Sequence, residues 1–191
     1  GWILYRSTHD APPALVLFDP STKSERVLKV VSLTDPSSFD SDKAGETVVF
    51  SASHSQSHPV RGTDFSDLYM LDVDTRAETR LTENEHLWHP TLSPDGGTIV
   101  AVGRTGSGSA LFTVGPSGGD PALLFRIAGT SVYNPVFSDD GRSLIFTMKR
   151  GSEQDIWMLP FPAVSPRPDS DHLPDEFNAA AIRPLTGPDE V

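Results

Sequence analysis

The sequence predicts an all-β fold of repeated four-stranded antiparallel sheets, and three observations support this prediction. Its 191 residues include 17 prolines and 15 glycines, a content that suits many short strands joined by turns better than it suits helices. A hairpin motif recurs, together with other short strands, at a nearly constant spacing. Several strands are also continuous apolar runs, which indicates that both of their faces are buried.

The hairpin motif appears as SPDGGTIVA at 93–101 and again as SDDGRSLIF at 138–146, 45 residues later. Aspartate bonds its own backbone and glycine accepts a positive φ, so Gly96 and Gly141 are expected at tight hairpin turns. A calcium loop is disfavoured because it needs more carboxylates at two-residue spacing.

A weaker copy of the hairpin, FDSDKAGETVVF, lies at 39–50. Compared with the other two copies, it has Asp40 and Ser41 in place of the Ser-Pro pair, and we expect two extra residues in its turn. The unit that contains it is therefore expected to be irregular.

Two further elements complete the repeat, an apolar strand that runs into a polar turn and a third short strand after it. The apolar strands begin at residues 15, 68, 111 and 156, and the short strands lie at 25–28, 79–82, 122–125 and 183–186. Four short strands in about 43 to 45 residues match the four-stranded antiparallel blade of a β-propeller. The chain is expected to form one partial propeller domain, 1–191, of about three and three-quarter blades, at 2–33 (incomplete), 36–82, 86–127 and 132–187.

These residues resemble the WD-like repeat of the TolB-type β-propellers, in which a proline, an apolar residue, SPDG, a strand ending in Phe and an IW strand recur in each blade. Pro90–Ala101, Pro135–Phe146 and Asp155–Leu159 carry the resemblance, whereas the unit at 36–74 departs from it. The resemblance implies the fold over nearly the whole chain but little about activity, because many functions occur on propellers. A TolB-like protein is expected to be periplasmic or secreted, and nothing else in the sequence indicates a compartment.

An incomplete set of blades is expected to leave uncovered faces. Propellers close with about four to eight blades. If one uncovered face measures about 800 Å² and is about 60% apolar, its burial contributes about 12 kcal/mol. We therefore expect the chain to pair with a second copy or with missing blades, and to self-associate when isolated. A monomer would instead favour a closed four-bladed ring.

The composition excludes several classes of partner. The 26 acidic against 15 basic residues give a net charge of -11, which repels phosphate backbones and anionic headgroups. Neither nucleic acid nor a membrane surface is expected as a partner, and no apolar run approaches the about 18 residues of a membrane span. The chain has no cysteine, which excludes disulfides and thiolate chemistry.

The residues that precede the repeat prolines are candidates for a binding site. If the innermost strands start at these prolines, His89 and Asn134 stand at matching places near the mouth of the channel. Asp35, which precedes Pro36, is expected to join them. Such side chains can bind a ligand, an ion or a peptide, or they can cap strand ends and hold waters.

Other histidines are candidates in loops. His54 and His58 lie in a long polar segment, and His86 stands three positions before His89, a spacing that also occurs in zinc sites. The pair is predicted on a loop rather than on a helix face, and no cysteine joins it. We therefore expect neither a metal nor another cofactor, and His54, His58 and His86 remain loop candidates.

The sequence favours a binding function over catalysis. It has no G-x-S-x-G elbow, Walker loop, HExxH or dinucleotide fingerprint, so no residue is assigned as catalytic. The leading interpretation is a non-catalytic scaffold that binds a protein or peptide partner, similar to the TolB-type proteins. One alternative is the propeller portion of a larger serine peptidase similar to prolyl oligopeptidases. Another is a channel-mouth lyase or hydrolase acting on acidic sugars, similar to oligogalacturonate lyases.

Overall fold

The described part of the chain is all-β. The computed structural model describes residues 3–7, 14–30, 38–55, 64–106, 108–161 and 183–184, of which 3–7, 53–55, 64–65 and 183–184 are described for the backbone only. These residues contain no helix, and so none that could cross a membrane. The strands are β1 (Ile3–Ser7), β2 (Ala14–Asp19), β3 (Ser24–Val30), β4 (Phe39–Ser41), β5 (Thr47–Ser55), β6 (Asp64–Asp72), β7 (Glu78–Arg80), β8 (Leu87–Leu92), β9 (Ile99–Thr105), β10 (Gly108–Val114), β11 (Ala122–Phe125), β12 (Thr130–Phe137), β13 (Ser143–Arg150), β14 (Glu153–Pro160) and β15 (Arg183–Pro184).

The strands form four antiparallel sheets in chain order. Sheet 1 contains β1–β3, sheet 2 contains β4–β7, sheet 3 contains β8–β11 and sheet 4 contains β12–β15. Each strand pairs with its neighbour in sequence, so every sheet is a meander. This is the predicted arrangement of one three-stranded and three four-stranded units.

The described residues form three hydrophobic core clusters, and each lies between two successive sheets. Phe50 of sheet 2 packs with Leu15 of sheet 1, Val49 of sheet 2 packs with Ile99 of sheet 3, and Val100 of sheet 3 lies in the cluster that sheet 4 shares. Consecutive residues of one strand therefore face opposite neighbours. This confirms the prediction of burial on both faces for the apolar runs of β5 and β9. In β13 buried and half-buried residues alternate, so the same prediction was wrong for the run LIF at 144–146.

The predicted hairpin turns of sheets 3 and 4 are confirmed. Gly96 has φ 69° and Gly141 has φ 68°, in the left-handed region that glycine occupies without steric cost. The preceding aspartate is structural, because Asp95 Oδ1 accepts the hydroxyl of Ser93 at 2.5 Å and the N–H of Gly97 at 2.9 Å.

The hairpin at 39–50 corrects the sequence alignment. Asp42 N donates to Thr47 O, and in sheet 3 Ser93 N donates to Thr98 O across the same five-residue separation. The turn therefore has no extra residues, and the prediction of a longer turn was wrong.

The residues that replace the Ser-Pro pair are Asp42 and Lys43 rather than Asp40 and Ser41. Asp42 takes over the hydrogen-bonding task of the serine, since its Oδ1 accepts the N–H groups of Glu46 and of the residue after it. The predicted alignment was displaced by two positions because an acidic side chain takes the place of the serine hydroxyl here.

Candidate functional site

The first strands of sheets 2, 3 and 4 define the inner edge of the array. β4 contacts β8 and β8 contacts β12, so these strands converge from sheet to sheet. Side chains on them are the ones that could line a central channel.

His89 and Asn134 occupy equivalent β-bulges on this inner edge. In β8 the register shifts between Trp88 and Thr91, and in β12 it shifts at the equivalent place, so the His-Pro and Asn-Pro pairs each oppose one residue of the neighbouring strand. His89 has φ 49° and Asn134 has φ 49°, a conformation for which Asn and His are enriched among non-glycine residues. The bulge also accommodates the proline, which cannot donate to a ladder.

The position of the two bulges differs from the sequence prediction. β8 begins at Leu87 and β12 at Thr130, so the strands start before the prolines. His89 and Asn134 therefore lie inside the inner strands rather than at their first residues.

The bulge residues link successive sheets through hydrogen bonds. His89 N donates to Ser38 Oγ of sheet 2 at 2.9 Å, and Asn134 N donates to His89 Nδ1 of sheet 3 at 3.5 Å. Ser38 lies four residues before Asp42, just as His89 lies four residues before Ser93. Ser38 therefore occupies the position in sheet 2 that was predicted for Asp35. Asp35 was predicted because it precedes Pro36, as His89 precedes Pro90, and Asp35 itself lies outside the described residues.

Burial and a hydrogen bond favour the neutral form of the His89 imidazole. Burial lowers its pKa below the ordinary value of 6.5, and Nδ1 must be unprotonated to accept the N–H of Asn134. The side chain therefore bridges sheets 3 and 4.

We expect the stability of the chain to fall as the pH drops below about 6.5, because the unfolded His89 then binds a proton that the folded state resists. His89→Asn should keep an acceptor and the positive φ, as Asn134 does, while this component of the pH dependence disappears. Denaturant unfolding of both proteins at pH 7.5 and 5.5 tests this, and an equal loss of stability in both would contradict it.

The remaining histidine candidates are not brought together by the described structure. His86 lies in the loop before β8 with φ 52°. His54 belongs to β5 rather than to a loop, with only its backbone described, and His58 lies outside the described residues. In the parts of the chain whose side chains are described, no three His, Cys, Asp or Glu side chains cluster so as to hold a metal ion.

An inner-edge cleft lies where the first strands of sheets 2, 3 and 4 meet their hairpin turns. Its volume is about 240 Å³. Phe137 and the exposed Val136 make its wall partly apolar, while Lys43 and Asp139 place opposite charges on it. The residues that line it are Asp40, Ser41, Lys43, Thr91, Leu92, Pro94, Val136, Phe137, Ser138 and Asp139.

One wall of the inner-edge cleft is fixed by a carboxylate that joins two sheets. Asp40 Oδ2 accepts the hydroxyl of Thr91 at 2.7 Å and the N–H of Leu92 at 3.0 Å. These two bonds join sheets 2 and 3 at this wall of the cleft.

Sequence reasoning missed Asp67, the most extensively bonded carboxylate of the described chain. It is fully buried in β6, pairs with Arg80 Nη2 at 2.6 Å and accepts the hydroxyl of Thr82 at 3.1 Å. It also accepts the N–H groups of Asn84 at 3.0 Å and Glu85 at 3.1 Å. The signal was an aspartate before an apolar strand, SDLYM, with RLT one strand later.

Asp67 organises the loop from sheet 2 to sheet 3. Burial raises the pKa of Asp67, but its bonds to Asn84 and Glu85, with those from Arg80 and Thr82, outweigh burial and hold the pKa below 3.8. A larger cavity of about 540 Å³ lies beside this loop, also lined by Gly119 and Asp120. Arg80 and Thr82 on its wall are engaged with Asp67, so we place the candidate site in the inner-edge cleft.

Comparison with known proteins supports a β-propeller fold. The sequence matches no protein-family model and no curated protein. TolB from Acinetobacter baumannii superposes with a TM-score of 0.68 and 20% identity, covering 83% of this chain and 38% of that one. A prolyl endopeptidase superposes with a TM-score of 0.61 and 17% identity, covering 97% and 28%. An oligogalacturonate lyase from Vibrio parahaemolyticus gives 0.60 and 15%, covering 78% and 45%.

The chain therefore shares the fold of these proteins and spans less than half the length of each. The fold is common to a TolB protein, a peptidase and a lyase. Function must consequently be argued from the inner-edge residues of this chain rather than from the likeness.

Proposed function

We propose that the chain is a non-catalytic propeller scaffold that binds a peptide segment of a partner protein in the inner-edge cleft. The observation that carries this proposal is the cleft itself, where three successive inner strands combine Val136 and Phe137 with the charges of Lys43 and Asp139. Apolar and charged groups side by side suit a peptide, which carries both kinds of side chain.

The size of the cleft favours one or two side chains of a longer ligand. Pockets that enclose a whole drug-sized molecule have volumes of roughly 300–1,000 Å³, whereas this cleft has about 240 Å³. The carboxylate of Asp139 is exposed and the net charge of the chain is -11, so a basic residue beside the bound side chain is attracted. The expected ligand is therefore a segment with an apolar residue next to Lys or Arg.

Peptides selected from a display library on the wild-type chain test this proposal. Asp139→Lys is expected to weaken the selected peptides by about tenfold, because it replaces attraction by repulsion at the rim. Asp120→Lys is the matched control, since it makes the same charge change at an exposed position beside the other cavity. Equal affinity for both variants would contradict the assignment of the site, and a failure to select any peptide would contradict the function.

A propeller that serves a serine peptidase is the second candidate function. The prolyl endopeptidase likeness favours it, since it covers 97% of this chain. Catalysis would then reside outside the described strands, and the selected peptides should be rich in proline. The oligogalacturonate lyase superposes with a similar TM-score but over less of this chain, 78% against 97%, so the peptidase is the second candidate.

A further inference from the structure

Backbone N–H groups of the inner strands point toward the inner edge. The strands β4, β8 and β12 each pair with only one other strand, so the N–H groups that do not enter this ladder need acceptors elsewhere. In sheet 4, Ser138 N donates to Ser143 O at 2.9 Å and closes the hairpin. Bonded and non-bonded pairs alternate along an antiparallel ladder, so the N–H of Phe137, one residue earlier, points away from β13.

The equivalent N–H groups of sheets 2 and 3 both donate to one carboxylate. Ser41 and Leu92 each stand one residue before the residue that closes their hairpin. Ser41 N donates to Asp40 Oδ1 at 2.8 Å, and Leu92 N donates to Asp40 Oδ2 at 3.0 Å. The two oxygens of Asp40 therefore satisfy two of the three equivalent inner-edge donors.

The third donor, the N–H of Phe137, lacks such an acceptor. Thr91 stands in sheet 3 where Asp40 stands in sheet 2, two residues before the hairpin is closed, and its hydroxyl donates to Asp40 at 2.7 Å. Among the described residues no group accepts the N–H of Phe137. Phe137 lines the inner-edge cleft, so the cleft offers this N–H to a ligand.

Other N–H groups of β12 that donate outside the ladder have acceptors in sheet 3. Val132 N donates to Ser109 Oγ at 2.8 Å, and Asn134 N donates to His89 Nδ1 at 3.5 Å. The strand is thus bonded to its neighbour up to the bulge, and the donor without an acceptor lies where the cleft opens.

The surroundings of this N–H favour an uncharged acceptor. Val136, which is 55% exposed, stands where the fully buried Thr91 supplies a hydroxyl to the carboxylate of sheet 2. The exposed carboxylate of Asp139 lines the same cleft and repels an anion, whereas Lys43 belongs to sheet 2 rather than to sheet 4. A peptide carbonyl carries no net charge, and the residue to which it belongs can pack its side chain on Val136.

We propose that the N–H of Phe137 binds a backbone carbonyl oxygen of the peptide segment, as the N–H of Leu92 binds Asp40. The inference rests on the proposed function and names the main-chain contact of that site. The carbonyl takes the place of water at the N–H, an apolar side chain of the segment lies on Val136, and a basic side chain lies near Asp139. Main-chain contacts of this kind provide affinity for an extended segment, while side chains provide specificity.

Amide hydrogen exchange, measured by NMR on the wild-type chain, tests the proposal. In the free chain the amide of Phe137 should exchange about tenfold faster than that of Leu92, because only the latter has an acceptor. The probe is acetyl-alanyl-leucyl-arginine amide, which has no carboxylate. At saturation it should slow exchange at Phe137 by about tenfold and leave Leu92 unchanged.

Asp40→Ala is the matched control for the measurement. It removes the acceptor of Leu92, whose amide should then exchange about as fast as that of Phe137 in the wild type. A Leu92 amide that stays slow would show that burial protects these groups, and the inference would be overturned. If this variant does not fold, the experiment on the wild-type chain still decides.

The remaining outcomes separate this contact from the proposed function. Equal exchange of Phe137 and Leu92 in the free chain overturns the inference, since Phe137 would then have an acceptor of its own. Slower exchange at other cleft residues, with Phe137 unchanged, overturns the backbone contact and leaves the proposed function standing. No slowing at any cleft residue with about 10 mM probe contradicts both.

Discussion

Replacement of Asp67 by alanine is expected to lower the free energy of unfolding by about 3 kcal/mol. The carboxylate is fully buried and accepts hydrogen bonds from Arg80, Thr82, Asn84 and Glu85. Its removal leaves two backbone N–H groups and a guanidinium without their acceptor. We take the lower end of the range for a broken buried pair because the Arg80 side chain is 35% exposed and water can solvate it.

Two further variants separate charge from shape at this site. Asp67→Asn keeps a carbonyl oxygen in the same place but cannot neutralise Arg80. Its free energy of unfolding should therefore lie between those of the wild type and Asp67→Ala. Asp72→Ala removes an exposed carboxylate of the same strand that binds only the nearby turn at Thr75, and its effect should be smaller. Urea unfolding measures all four proteins, and an effect of Asp67→Ala no larger than that of Asp72→Ala would contradict the assignment.

The pH dependence of Asp67 has a defined sign. Its pKa in the folded protein lies below 3.8, the ordinary value for an aspartate in the unfolded chain. The contribution of Asp67 to the free energy of unfolding is therefore present above that pH and is lost as the pH falls below it. The contribution of His89 is lost in a higher window, below about pH 6.5. The free energy of unfolding should therefore fall in two pH windows, first below about pH 6.5 and then below pH 3.8, which urea unfolding at a series of pH values measures.

The strand order and the hairpin turns were predictable because they depend on local chemistry. Glycine at positive φ and the aspartate before it specify the turns at Gly96 and Gly141, and this signal does not depend on contacts with distant residues. Continuous apolar runs such as that of β9 then show that both faces are covered, and this already requires stacked sheets.

The candidate site was only partly predictable because it depends on contacts between sheets. His89 and Asn134 were found from the repeat, but their contacts follow from the positive φ at each bulge, which no residue spacing reveals. Ser38 was missed because no proline follows it, whereas Pro36 follows Asp35. Asp67 was missed because, from sequence alone, a buried polar residue of a strand cannot be distinguished from one on a solvent-exposed face of the sheet.

The junctions between sheets share a common construction, and sheets 3 and 4 show it most tightly. Ser109 Oγ bonds both the carbonyl and the N–H of Val132, so the backbone of β12 is held at a fixed distance from β10. One residue earlier, Gly108 lies against Thr130, the first residue of β12. A Cβ at Gly108 would lie 1.9 Å from the carbonyl oxygen of Thr130. Glycine is therefore required here by close approach of two backbones.

Gly108→Ala is consequently expected to lower the free energy of unfolding by about 3 kcal/mol, since the clash is with backbone that the Ser109 bonds prevent from moving. Gly106→Ala is the matched control two residues away, because a Cβ there meets nothing within 4 Å. It should be neutral or slightly stabilising, as restricting the unfolded chain predicts. Thermal unfolding of the two variants measures the difference. Similar midpoints would mean that sheets 3 and 4 can separate at this point, and the close backbone contact would then not hold the junction together.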